Sequence, residues 1–164
     1  MKLIYAFGVC VLIFISCKKS DSSVPSSPSI QYKLNGRQIR IVGGIDSSGR
    51  DMITGAYYGC YAIKPPVSGY YTVYGSDKST EAMIVIATQQ DTLAETTYST
   101  GPVEIAINVS DTSYGINNGD QITINITRYS NGTIDATFSG TVSDIYSDRK
   151  TITDGRLSNI KVYY

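Results

Sequence analysis

Histidine and tryptophan are absent from this chain of 164 residues, and phenylalanine and cysteine occur only three times each. The missing histidine excludes the most, because it takes away the usual general base near neutral pH and the commonest metal ligand. Ser-His-Asp and Cys-His catalysis are ruled out, and so are ordinary zinc sites. A charge excess of either sign is lacking as well, with 14 Lys+Arg against 14 Asp+Glu. Net charge therefore concentrates neither nucleic acid nor an anionic surface, and nucleic acid is not an expected partner. No cofactor is expected. Long apolar runs are missing too, apart from one short stretch at the amino terminus.

That stretch, residues 3–15, is uncharged and follows Met1-Lys2. A spanning helix needs roughly 20 apolar residues, so the stretch is short for a permanent anchor and suits the core of a signal peptide. Ser16 is the small residue that a lipoprotein signal peptidase requires before the cysteine, and Phe14-Ile15-Ser16-Cys17 resembles a lipobox in which Phe14 replaces the usual leucine. The expectation is removal of residues 1–16 and lipidation of Cys17, whose acyl chains hold the mature protein on its membrane. Of the twelve residues 18–29, six are serine and two are proline. Such a composition cannot bury enough apolar surface to fold, so residues 17–29 read as a tether. Cys10 leaves with the leader and Cys17 carries lipid, which makes Cys60 an unpaired, buried structural thiol.

What is plentiful is tyrosine, 14 residues, together with 15 glycines and many Ile, Val and Thr. Residues 30–164 read as one domain in which apolar side chains recur at period two, the signature of half-buried strands. Asn35-Gly36 and Asn131-Gly132 offer tight hairpin turns. Met52 to Ile63 reads as a long run that can bend at Gly55 and Gly59. Glu81 to Thr88 is apolar on both faces, which predicts a central strand covered on both sides. Val103, Ile105, Ile107 and Val109 share one face, and Glu104, Ala106 and Asn108 point to water. Near the carboxyl end, Ile122, Ile124 and Ile126 face Ile134, Ala136, Phe138 and Val142 across a hairpin. Thr151-Ile152-Thr153 and Ile160 to Tyr164 read as a last pair of elements interrupted at Asp154-Gly155. Leu157 and Ile160 have opposite parity and need a bulge between them to share one core. About nine strands at this spacing predict an all-β domain, an antiparallel β-sandwich, with a closed β-barrel as the alternative.

The segments Gly132-Thr-Ile-Asp-Ala-Thr-Phe-Ser-Gly-Thr141 and Thr151-Ile-Thr-Asp-Gly-Arg-Leu-Ser158, with Cys17-Lys18-Lys19, resemble a group of small outer-membrane lipoproteins of Bacteroidota. In that group a Gly-Thr-Phe-Ser stretch precedes an Ile-Thr-x-Gly-x-Phe ending; here Ala136 stands for the glycine and Leu157 for the phenylalanine. The resemblance implies a β-rich domain lipid-anchored to the outer membrane, facing the periplasm or the cell surface. It assigns no reaction and no catalytic residue.

Six tyrosines, Tyr57, Tyr58, Tyr61, Tyr70, Tyr71 and Tyr74, cluster in two neighbouring runs. Exposed rings among them are candidates for stacking on a sugar, a contact that needs neither histidine nor metal; the alternative is ordinary strand packing. Glu81, Glu95, Glu104, Asp120 and Asp135 are scattered, whereas a glycosidase needs two carboxylates facing one another. The loops Asn117 to Asp120 and Asp144 to Asp148 are oxygen-rich without the ligand rhythm of an EF-hand, so turn chemistry is expected there rather than calcium. Asp91-Thr92-Leu93 resembles an O-glycosylation signal of exported Bacteroidota proteins, with Thr92 as acceptor. The functional expectation is a membrane-anchored envelope lipoprotein whose non-catalytic domain has a binding or interaction role. Its partners are the membrane through the lipid and a glycan or envelope protein; the alternatives are a structural component of a surface assembly and a glycan-binding module.

Overall fold

The computed structural model describes residues 27–43, 59–66, 69–88 and 92–164. The leader, Cys17 and most of the tether lie outside these residues, as does the first part of the Met52 to Ile63 run. Among the described residues there are eleven strands and no helix, so the domain is all-β as expected. In chain order they are β1 (Ser29–Leu34), β2 (Arg37–Val42), β3 (Gly59–Ile63), β4 (Tyr70–Ser76), β5 (Thr80–Ala87) and β6 (Thr97–Ser99). Then follow β7 (Val103–Val109), β8 (Thr112–Gly115), β9 (Ile122–Ser130), β10 (Thr133–Ser143) and β11 (Arg149–Tyr163).

All eleven belong to one mixed sheet that folds into two layers. One layer is antiparallel in the order β2-β1-β11-β10-β9-β6, and the other is the antiparallel run β3-β4-β5-β7-β8. They are joined where Val162 and Tyr163 run parallel to Ala62 and Ile63, and where Ser143 pairs with Gly115. These joins are narrow, two residue pairs and one, and the arrangement is sandwich-like. The layers pack closely: a Cβ added at Gly75 on β4 would lie 2.6 Å from Ile30 Cδ1 on β1. The core between them is built from alternate strand residues such as Ile30, Tyr32, Ile41, Val73, Ile84, Ile107, Ile124 and Phe138.

The two expected hairpins form. Asn35 and Gly36 have φ of 47° and 82°, and Asn131 and Gly132 have 52° and 66°. Positive φ at both central residues is the primed turn whose twist matches the flanking strands. The parity problem in the last strand is solved as anticipated. Asn159 takes φ 52°, the register shifts between the pairs Ile134–Ile160 and Ala136–Leu157, and both Leu157 and Ile160 are buried.

Three expectations need correction. Asp154-Gly155 does not interrupt the chain: β11 runs through it with a bulge at Asp154, φ 54°, taking three residues where β1 and β10 each take two. Both neighbours absorb the same extra residue, so the ladder resumes on either side. The strand count rises because β6 and β8, with three and four residues, are too short to show a period. Finally, β5 is not covered on both faces by described residues, since Met83 remains 36% exposed and Val85 and Ala87 are half-buried.

Tyr32 gives a direct test of the core. It is fully buried on β1, its ring 6.0 Å from that of Phe138, and its hydroxyl has no hydrogen-bond partner among the described residues. Burial drives its ionisation far above the ordinary tyrosine range, with the Asp77 carboxylate adding to the effect. A buried donor left unmade costs about 1–3 kcal/mol. Tyr32→Phe is therefore expected to raise the urea midpoint or leave it unchanged; a loss above about 1 kcal/mol would reveal a partner for the hydroxyl.

Candidate functional site

The tyrosine cluster divides according to strand parity. Tyr57 and Tyr58 lie outside the described residues. Tyr71 is fully buried, which removes it from the ligand-contacting set. It faces the core because it alternates with Tyr70 and Thr72 along β4. Its ring meets that of Tyr129 edge-on at 5.8 Å, and its hydroxyl donates to Tyr129 Oη at 3.4 Å. Tyr61, Tyr70 and Tyr74 do lie on the outer face. Tyr61 and Tyr74 are directly opposite across β3 and β4 and stack at 5.2 Å with 23° between planes. Each ring thus has one face taken by the other, whereas sugar stacking needs a free ring face. Tyr70, 50% exposed, stands with Ile63 and Met83 on this half-apolar face.

The carboxylates do not converge. Glu81 accepts from Asn108 Nδ2 at 3.0 Å, Glu95 accepts from the Tyr129 amide at 2.9 Å, and Asp135 pairs with Arg128 at 2.6 Å. Among the described residues no group of three or more His, Cys, Asp or Glu is placed to hold a metal. The oxygen-rich loops are occupied by turn chemistry, as expected. Asp144 Oδ1 accepts from the amides of Tyr146 and Asp148, both at 2.8 Å.

Asp120 is a structural anchor rather than a reactive group. Its side chain is fully buried, its Oδ1 lies 2.9 Å from Arg149 Nε, and its Oδ2 accepts from the Asn117 amide at 3.1 Å. Burial by itself would raise this carboxyl. Hydrogen bonds from Ser143, the Asn117 amide and Thr141, with the Arg149 charge, outweigh burial and hold it below the usual carboxylate range. The corner between the β8–β9 loop and the β10–β11 hairpin therefore gains stability from ionised Asp120. That gain is present above about pH 4 and disappears as pH falls through the lower folded value. Asp120→Asn is expected to cost about 1–3 kcal/mol at pH 7, with the gap to the wild type closing as denaturation is followed into acid. A gap that is constant from pH 7 to pH 2 would contradict the assignment.

Cys60 is buried and free, and it donates to the Ile41 carbonyl at 3.4 Å. Burial pushes its thiol up to about 12, so the expected structural thiol is an inert one. Thr92 is exposed beside buried Leu93, while Asp91 lies outside the described residues.

A concavity of about 670 Å³ crosses the outer face of the six-stranded layer. Its geometry follows from register. Arg40 is opposite Gln31, Gln31 opposite Arg156, Arg156 opposite Thr137, Thr137 opposite Asn125, and Asn125 opposite Thr97. One unbroken polar row thus spans β2, β1, β11, β10, β9 and β6, and each of its residues is exposed or half-buried. Strands about 4.8 Å apart hold these side chains at regular intervals on a stiff support. Gln31, Arg156, Thr137 and Asn125 line the groove, with Gly155 among the lining residues. The Lys33–Asp154 ion pair, 2.8 Å, lies beside the row. None of these residues is a sequence-level candidate, because each sits singly on its own strand and only pairing aligns them. Amide and hydroxyl groups both donate and accept, so the row suits a ligand with many hydroxyls. Compared with protein-family models, curated proteins and solved structures, the chain matches none.

Proposed function

We propose that this chain is a lipid-anchored protein of the outer membrane whose β domain is a non-catalytic glycan-binding module, with its ligand in the groove across β1, β11, β10 and β9. The observation that carries the reading is the continuous row from Arg40 to Thr97, polar at every position and pre-positioned by six paired strands. Backbone fixed in paired strands loses little freedom when a ligand arrives, so a shallow groove can still bind a flexible polar chain. Support for the anchor is the leader, Ser16 before Cys17 and the serine-rich tether.

The test is binding of the mature lipidated protein, held in a non-glycosidic detergent, to a panel of oligosaccharides. Asn125→Ala and Thr137→Ala should weaken binding while leaving the unfolding midpoint unchanged, and Tyr70→Ala should change neither binding nor the midpoint. Cys17→Ala should move the protein out of the membrane fraction. A second reading, a component of a surface assembly, is favoured by the exposure of Ile63, Tyr70 and Met83 on the outer face of β3–β5. If no oligosaccharide binds and cross-linking in intact cells captures a partner through that face, the assembly reading replaces the glycan reading.

A further inference from the structure

We infer that the groove selects glycans that bear carboxylates, such as chains containing uronic acids, with Arg156 in the groove and Arg40 beyond it in the same row reading the charge; this rests on the glycan reading above. The two arginines flank Gln31 in the same row, on β2 and β11. Next-but-one strands place their backbones about 10 Å apart. Both side chains are exposed. Neither forms an ion pair with a described carboxylate, whereas Arg128 and Arg149 hold Asp135 and Asp120 at 2.6 and 2.9 Å.

The carboxylate lining this groove, Asp154, is already engaged by Lys33 at 2.8 Å. Lys33 and Asp154 cancel, so Arg40 and Arg156 leave the face with a local positive surplus in a chain whose formal charge is zero overall. A guanidinium presents a planar fork that matches a carboxylate with two parallel hydrogen bonds. The neutral members of the row, Gln31, Thr137 and Asn125, then take the hydroxyls of the sugar that carries the acid. Nucleic acid fits less well, because the aromatic residue among those lining the groove, Phe138, is only 4% exposed, has its ring in the core against Tyr32 and gives bases nothing to stack on.

The experiment compares oligogalacturonate with its methyl ester, which keeps the backbone and most hydroxyls but removes the charge. Both are titrated against the mature lipidated protein in a non-glycosidic detergent at low and high salt. The acid is expected to bind about tenfold more tightly than the ester at low salt, with the difference shrinking as salt rises. Arg156→Gln and Arg40→Gln should each lower the ratio of acid to ester affinity, with any loss of ester binding smaller than the loss for the acid and the unfolding midpoint unchanged. Equal binding of acid and ester would overturn this inference and leave the glycan reading standing. Binding of neither, with no other oligosaccharide bound, would overturn both. Equal affinity for a sulfated oligosaccharide, a short DNA strand or anionic vesicles would mark a general anion surface and overturn the selection for carboxylates.

Discussion

Ile124→Asp is expected to abolish the folded state, or to lower its stability by at least several kcal/mol. Ile124 is fully buried on β9, opposite Phe138 on β10 and Tyr98 on β6. A carboxylate there would lose its hydration among apolar side chains, and a domain with about 5–15 kcal/mol in hand cannot absorb that loss. The neighbouring residue is the control. Thr123 is exposed, so Thr123→Asp should change stability by no more than about 0.5 kcal/mol. If the aspartate variant cannot be purified, Ile124→Ala gives a graded readout, with an expected loss of about 2–5 kcal/mol from the lost contacts and the cavity. Guanidinium unfolding followed by circular dichroism measures each. A wild-type midpoint for Ile124→Asp would mean that β9 does not present this face to the core.

The second large effect is expected at Gly155. It is buried opposite Phe138, and a Cβ at this position would run into the Phe138 carbonyl oxygen and come within 2.6 and 2.7 Å of two ring carbons. A ring can turn aside, but the carbonyl belongs to the β10 backbone and moves only if the strand moves. Gly155→Ala should therefore cost about 1–3 kcal/mol or more. It should also weaken ligand binding, since Gly155 lines the groove. Phe138→Ala alone is expected to cost about 3–5 kcal/mol, and adding it to Gly155→Ala should not relieve the clash with the carbonyl. A double variant no less stable than Phe138→Ala alone would show that the ring, not the backbone, is the obstacle.

The proposed groove depends on the same irregularity. The bulge at Asp154 sits beside Gly155 and Arg156 and disturbs the register with both β1 and β10. Bulges bend a strand and re-aim the side chains around them. In the amino-acid sequence Asp154-Gly155 has the composition of a turn, and reading it as a break is reasonable when only local preference is considered. Pairing on two edges makes it a bulge instead.

Much of the fold was legible from residues alone. Period-two alternation identified most of the strands and their buried faces, because burial of one side of a pleated strand is a local pattern. Asn-Gly pairs identified two hairpins, because positive φ at successive residues is a demand that few side chains meet. The parity of Leu157 and Ile160 even required the bulge that Asn159 supplies. What sequence could not contain was the order of the strands. The row from Arg40 to Thr97 draws on residues between positions 31 and 156. It exists only because β11 lies between β1 and β10. The tyrosines, adjacent in the chain, were by contrast conspicuous in the sequence and then divided by the pleat, with Tyr71 in the core and Tyr70 outside. Spacing along the chain is set by covalent bonds and can be read directly. Spacing across a sheet is set by which backbone hydrogen bonds with which, and that is decided by the packing of the whole domain.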